Sequence, residues 1–122
     1  MSFLSRIFGR KPPQNLGGKS LVSFDEHGVT RNMPDGRVEA VSWHELQEVI
    51  IVTTGEGPFE DDVFWVLSGN GRGCAVPSES AGMKELLTRL QQLPGFNNES
   101  VIQAMGSTSN AKFICWSRGN AL

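Results

Sequence analysis

Short apolar runs separated by turn residues fill the chain from Ser20 to Pro77, a pattern typical of strands joined by tight turns. The fourth and fifth runs are apolar at nearly every position, which predicts strands buried on both faces. The pattern therefore predicts an antiparallel meander of about six short strands. The runs are 21–24, 29–33, 38–43, 48–54, 62–69 and 74–77.

Three turn signals divide these runs. Pro34-Asp35-Gly36 favours a hairpin, and Asn70-Gly71 favours another between the last two runs. Gly28 follows Asp25-Glu26-His27, and we expect it to take the positive φ that a turn requires. These signals make consecutive strands neighbours in the sheet.

Beyond Pro77 the apolar spacing changes to that of a helix over 78–93, with Ser78 or Ser80 as its cap and Pro94-Gly95 as its end. Its apolar positions are Met83, Leu86, Leu87, Leu90 and Leu93.

A second, short helix is predicted from Asn98 to Met105, capped by Asn97 and closed by Gly106. Its inward residues are expected to be Val101, Ile102 and Met105.

The stretch 111–116 fits either a strand or a helix, and its branched and aromatic residues favour a strand. We expect residues 117–122 to form a loose tail, and residues 20–116 to form one domain. Residues 1–19 are a separate N-terminal segment and linker, because Pro12-Pro13 would stop any helix before them.

The N-terminal segment is amphipathic if helical, with its apolar side chains within an arc of about 140°. It would be a weak membrane-surface helix, a helix for a partner's groove, a flap over the domain's own core, or a frayed start that packs nowhere. The apolar members are Phe3, Leu4, Ile7 and Phe8, and the charges are Arg6, Arg10 and Lys11.

The 122 residues carry a net charge of -2, so no global field attracts the chain to nucleic acid. We expect a cytoplasmic protein, because no signal peptide or membrane-length apolar run is visible. Any contact with a membrane surface is expected to be weak. Cys74 and Cys115 lie in apolar runs and are expected to be buried, reduced thiols.

An acidic segment, 55–62, joins the two most apolar strands. Charges at strand ends act against aggregation, and an apolar side chain among charges is also the anatomy of a protein-binding hot spot. Both interpretations stay open, while the spacing of the acids fits a calcium loop poorly. The candidate partner-binding residues are Glu56, Phe59, Glu60, Asp61 and Asp62.

No catalytic or metal motif is complete. The stretch "HELQE" from His44 to Glu48 lacks the second histidine of a zinc-protease helix and runs into a strand. Neither His44 nor His27 has a nucleophile in a strand–turn–helix elbow. We expect no metal, no cofactor and no enzymatic activity, with Trp43, Trp65 and Trp116 in the core.

Several motifs resemble the bacterial pleckstrin-homology-like (PH-like) domains: Gly28-Val29, Ser42-Trp43, Glu45-Leu46, Val49, Val76-Pro77-Ser78 and the helix that follows. The ending "LPGF…AM…FICW" also resembles a group of short bacterial proteins. The resemblance covers about residues 20–95. It implies an α+β fold, in which a bent antiparallel sheet or partly open barrel of six to seven strands is closed by a helix.

The resemblance implies binding and not catalysis, and fold does not fix the ligand. Lipid-binding members cluster basic residues in the first hairpin, where this chain offers only Arg31 and Arg37, with Glu39 nearby. The sequence therefore favours a binding module for a protein partner, in an adaptor or immunity-type role that masks a basic surface. The alternative is a peripheral membrane accessory docking through residues 3–11. The oligomeric state stays open.

Overall fold

A computed structural model describes residues 21–54, 63–107 and 109–120. These residues form an α+β fold of seven strands and two helices. The strands are β1 (Leu21–Phe24), β2 (Gly28–Asn32), β3 (Val38–Ser42), β4 (Glu48–Thr53), β5 (Val63–Gly69), β6 (Arg72–Pro77) and β7 (Ala111–Ser117). The helices are α1 (Met83–Leu90) and α2 (Asn98–Met105).

The strands form two antiparallel sheets, a three-stranded one in the order β1-β2-β3 and a four-stranded one in the order β6-β5-β4-β7. The predicted meander is therefore confirmed within each half, but it is broken between β3 and β4. A turn at Trp43–Glu45 separates them, and Leu46, 1% exposed, anchors this corner in the core. Residues 111–117 are a strand, as their branched side chains predicted, and they pair with β4.

Two hairpins form as predicted. Gly36 has a φ of 93°, and the carboxylate of Asp35 accepts hydrogen bonds from the backbone N–H and Nε of Arg37. Asn70 and Gly71 both have positive φ, at 53° and 74°, the geometry whose twist matches a two-residue hairpin loop.

The prediction that Gly28 has a positive φ was wrong. Its φ is not positive. Glycine is needed there because a Cβ atom would overlap the carbonyl oxygen of Val41 on the neighbouring strand.

Helix α1 is shorter than its apolar spacing predicted, and neither Ser78 nor Ser80 caps it. The cap is Gly82, with a φ of 89° and no side-chain hydrogen bond. The chain is held back at Ala81, whose carbonyl accepts from Val22 N–H across a bridge to β1. The helix therefore begins only after this contact, at Met83.

Helix α2 has the predicted bounds and the predicted cap, since the side chain of Asn97 accepts from the backbone N–H of Ser100. Its inward face differs from the prediction. Ala104 is buried and Val101 packs against the core, whereas Ile102 and Met105 point to solvent.

The main core lies between the sheets and under both helices. Val22, Val29 and Val41 enter it from the three-stranded sheet, and Leu86 and Leu90 enter it from α1. Trp65 and Trp116 are buried as predicted, at 1% and 5% exposed, while Trp43 is half-buried at the margin.

A second, smaller cluster lies on the opposite face of the four-stranded sheet. It consists of Ile50 and Val52 on β4, Val66 on β5 and Ala75 on β6. The prediction that β4 and β5 are buried on both faces is thus confirmed for their central residues.

Residues 118–120, part of the segment 117–122 that was expected to be a loose tail, are ordered beside the core. Arg118–Asn120 form a 3-10 turn. The Arg118 guanidinium donates to the carbonyl oxygens of Leu46, at 2.8 Å, and Trp43, at 3.0 Å. These bonds attach the turn that follows β7 to the corner between the two sheets.

Candidate functional site

The residues predicted to bind a partner lie outside the described ranges. This applies to the acidic set, Glu56, Phe59, Glu60, Asp61 and Asp62, and to the amphipathic set between Phe3 and Lys11. What the structure does define is the framework to which the acidic segment is attached.

The acidic segment is attached at one end of the four-stranded sheet, which we call the hairpin end. Thr53 pairs with Val63, so the connection leaves β4 and enters β5 at directly paired positions on these adjacent strands. The backbone N–H of Ser78 donates to the carbonyl oxygen of Val63 at 2.9 Å. The Thr53 hydroxyl, 1% exposed, donates to the carbonyl oxygen of Ser109 at 2.7 Å. The attachment points are therefore firmly fixed.

The C-terminal end of helix α2 lies beside the hairpin end, and the helix carries two exposed apolar side chains. Ser107, just beyond the helix, has its hydroxyl 3.2 Å from that of Thr53, which places the C-terminal end of α2 beside the last residue of β4. Met105 is 49% exposed there, and Ile102, one turn earlier, is 71% exposed. The sequence predicted both to face inward from their apolar spacing, whereas the buried residue of this helix is Ala104.

The opposite end of the sheet carries a half-buried aromatic and basic group. The Arg89 guanidinium lies 4.2 Å from the ring centroid of Trp43, close enough for a cation–π interaction. Phe24 meets the same indole edge-on, with ring centroids 6.5 Å apart. The indole Nε1–H of Trp43 donates to the carbonyl oxygen of Asp25 at 2.7 Å. Each group thus has a partner within the fold, and the cluster holds the β1–β3 sheet against α1.

The basic residues of the first hairpin are paired within the domain. Arg31 lies 3.3 Å from Glu39 and also donates to the carbonyl oxygen of Ala75, while Glu39 accepts from the Ala75 N–H at 3.0 Å. Arg37 pairs with Asp35 at 2.6 Å. The Arg31–Glu39 pair thus provides hydrogen-bond partners for both backbone groups of Ala75 on the outer edge of β6, and it joins the two sheets.

The thiols are poor nucleophiles. Cys74 and Cys115 are free and buried, as predicted. Burial raises the pKa of Cys74 to about 12, with the nearby Glu39 carboxylate adding to the shift, and it raises the pKa of Cys115 to about 11. The reactive thiolate form is therefore scarce near neutral pH.

The other titratable groups with shifted pKa values are carboxylates that fasten turns. The backbone N–H of His27 lowers the pKa of Asp25, and that of Arg37 lowers the pKa of Asp35. The side-chain amide of Asn70, followed by the hydroxyl of Ser42, lowers the pKa of Glu45. Each shift comes from a hydrogen bond within the domain, so it needs no ligand to explain it.

Among the described residues, no three His, Cys, Asp or Glu side chains lie together in an arrangement that could hold a metal ion. Both histidines are exposed, His27 with 84% of its side chain accessible. The partial zinc motif at His44 forms a turn and the start of β4, not a helix.

Within the described ranges, no helix is long and apolar enough to cross a bilayer. Comparison of the chain with models of protein families, with curated proteins and with solved structures found no match.

Proposed function

We propose that this chain is a PH-like, non-enzymatic binding module that recognises a basic surface of a protein partner at the hairpin end. The observation that carries the proposal is the placement of two exposed apolar side chains, Ile102 and Met105, on the helix that ends beside Thr53. Thr53 immediately precedes the connection that holds the acidic residues.

The chemistry of this end suits a protein interface. Interfaces place large apolar side chains at the centre and charges at the rim, where the charges govern the rate of association and the choice of partner. Four acids within residues 56–62 give the connection a strong local charge, in a chain whose net charge is only -2. A complementary partner would present basic side chains around an apolar depression.

The PH-like assignment is supported by the arrangement of the described strands. Two antiparallel sheets, of three and four strands, meet at the corner after β3, and helix α1 packs into the core between them. This agrees with the bent sheet and plugging helix that the sequence motifs implied.

The test of the acidic segment is a quantitative affinity purification from cells of the source organism with two charge-matched variants. One carries E60Q, D61N and D62N, and the other carries E26Q, E85Q and E99Q at exposed positions elsewhere. Both remove three negative charges. We expect a protein that the native chain and the second variant capture, and that the first captures at least about tenfold less well, as loss of a hot spot predicts.

Equal capture by all three proteins, or no specific capture by the native chain, would refute the proposal. A second pair of variants tests the apolar part with the captured protein in purified form. Ile102→Ser should weaken binding, whereas Ile114→Ser, also at an exposed isoleucine but on a different face, should not.

A further inference from the structure

The turn between β5 and β6 contains an asparagine that is followed by a glycine, Asn70-Gly71. The other six asparagines of the chain all precede residues that have side chains. Asn70 and Gly71 are both exposed, and a Cβ atom added at Gly71 would contact no neighbouring part of the protein. The peptide bond between the two residues therefore lies at an open position of the surface.

An asparagine in this position has an intrinsic route to deamidation, because no side chain on the following glycine hinders the reaction. The backbone nitrogen of Gly71 loses its proton and bonds to Cγ of Asn70. The bond from Cγ to the side-chain nitrogen breaks, and that nitrogen leaves as ammonia. Water then opens the cyclic imide and yields an aspartate or an isoaspartate at position 70. One water is consumed and one ammonia is released, with no oxidation or reduction.

The Asn70 amide links this turn to the corner between the two sheets. Its Nδ2 donates to Oε2 of Glu45 at 3.3 Å, while the Ser42 hydroxyl donates to Oε1 of the same carboxylate at 3.1 Å. The end of β5 lies directly against the corner, since a Cβ atom at Gly69 would overlap the carbonyl oxygen of Glu45. The amide thus supplies Glu45 with an uncharged donor at a close contact between the sheets.

We propose that Asn70 is a site of spontaneous deamidation, and that the product weakens the attachment of the β5–β6 turn to the corner. The reaction replaces the NH2 group that Glu45 binds with an oxygen of a second carboxylate. Two ionised carboxylates at hydrogen-bonding distance repel each other. The isoaspartate product also adds a backbone carbon to a turn whose two positive φ angles suit a two-residue loop. At neutral pH both products therefore replace an attractive contact with an unfavourable one.

The other charges near Glu45 stay in place during this reaction. In the native protein the hydrogen bond from Asn70 is the largest cause of the lowered pKa of Glu45, and attraction to Arg72 on β6 also lowers it. His44 is the neighbour of Glu45 in the turn and is exposed. The Arg118 guanidinium points to the backbone carbonyl oxygen of His44, at 3.5 Å. Because deamidation removes the donor and adds a negative charge, it should raise the pKa of Glu45 above its native value.

The reaction itself is tested on the folded, full-length native chain. The protein is incubated at mildly alkaline pH, and its peptides are followed by mass spectrometry with separation of aspartate from isoaspartate. Asn32 and Asn98 are internal controls, since both are exposed but precede Met33 and Glu99. We expect conversion at position 70 to be several times faster than at either control, with both products formed.

The consequence is tested with Asn70→Asp, which produces the aspartate form uniformly. Its Tm should be lower than that of the native chain at about pH 7, and the difference should shrink at about pH 4, where one of the two carboxylates takes up a proton. Adding Glu45→Gln to Asn70→Asp should recover most of the loss at neutral pH, because an amide then again faces a carboxylate. Glu45→Gln alone is the matched control, and every variant retains His44.

Two results would each overturn the proposal. One is conversion of Asn70 in the folded protein that is no faster than conversion of Asn32 and Asn98. The other is an Asn70→Asp variant whose Tm at neutral pH equals the native value, or is not raised by Glu45→Gln. The kinetic measurement uses the native chain, so it stays decisive even if a variant fails to fold. Neither measurement depends on the capture of a partner at the hairpin end.

Discussion

Strand β6 is an edge strand of the four-stranded sheet, and the Arg31–Glu39 ion pair forms hydrogen bonds with its outer edge, where a further strand would otherwise pair. The two side chains are 17% and 20% exposed, and between them they satisfy both the N–H and the carbonyl oxygen of Ala75. We predict that Glu39→Leu destabilises the domain far more than a surface substitution, because it removes an acceptor and a counter-charge together.

The magnitude follows from two terms. A hydrogen bond to a charged group contributes about 1.5–3 kcal/mol, and removing one member of a fully buried ion pair costs about 3–5 kcal/mol. Since both side chains retain some contact with water, we expect about 2–3 kcal/mol for Glu39→Leu. That corresponds to a decrease in Tm of about 10 °C for a domain of this size.

The assay is urea unfolding of Glu39→Leu, Arg31→Met and the double variant, compared at equal m-value. Arg31→Met should cost about 2 kcal/mol, and the double variant should lose about 1–2 kcal/mol less than the sum, since neither charge is then left without its partner. Glu39→Gln, which keeps an acceptor for the Ala75 N–H, should be milder than Glu39→Leu. Additivity within about 0.3 kcal/mol would show that the pair is not coupled and would refute the argument.

Three further predictions concern stability. Gly28→Ala should cost more than about 2 kcal/mol in thermal or urea unfolding, since its Cβ would meet backbone that cannot move, whereas Gly119→Ala, with open space around it, should be neutral; equal effects would contradict this. For Cys74 and Cys115 the folded-state pKa is raised above the unfolded value, so stability should fall as pH rises above about 9, by up to about 1.4 kcal/mol per pH unit for each thiol. The same unfolding curves on a variant with both thiols replaced by alanine should show a flatter alkaline limb, and an unchanged slope would contradict the assignment. Arg118→Ala should cost about 1–2 kcal/mol in urea unfolding by loss of its bonds to the corner, and Arg118→Lys should cost less because its ammonium group can still donate to one of the carbonyls. No loss of stability in Arg118→Ala would contradict this.

Local signals predicted the strands and hairpins well. The apolar run of β4 and the Asn70-Gly71 turn act over a few residues, and the structure keeps them as expected. The predicted start of α1 was wrong because a contact with a residue distant in sequence determines it. The bridge between Ala81 and β1 keeps the backbone non-helical up to Gly82, and the local sequence around Ser78 and Ser80 carries no sign of that bridge.

The candidate site was less predictable from sequence. Hydropathy favours burial of Ile102 over Ala104, but the structure shows the reverse. Which side chains of α2 are buried depends on how the helix packs against β7, and the sequence of the helix alone does not determine that. Arg31 and Glu39 lie eight positions apart, and nothing in their spacing shows that they meet Ala75, which is distant in sequence. The acidic residues themselves lie outside the described ranges, so their role stays a prediction.

Strand β4 is the inner neighbour of β7, although Thr53 and its partner Ala111 are separated by both helices and two strands. During synthesis on the ribosome, one edge of β4 therefore has no partner until residues 111–117 have been made. A premature stop codon before residue 111 would leave that edge permanently unpaired, and an unpaired apolar edge strand promotes association with other chains. Shortened products of this gene should accordingly accumulate as inclusion bodies or require chaperones.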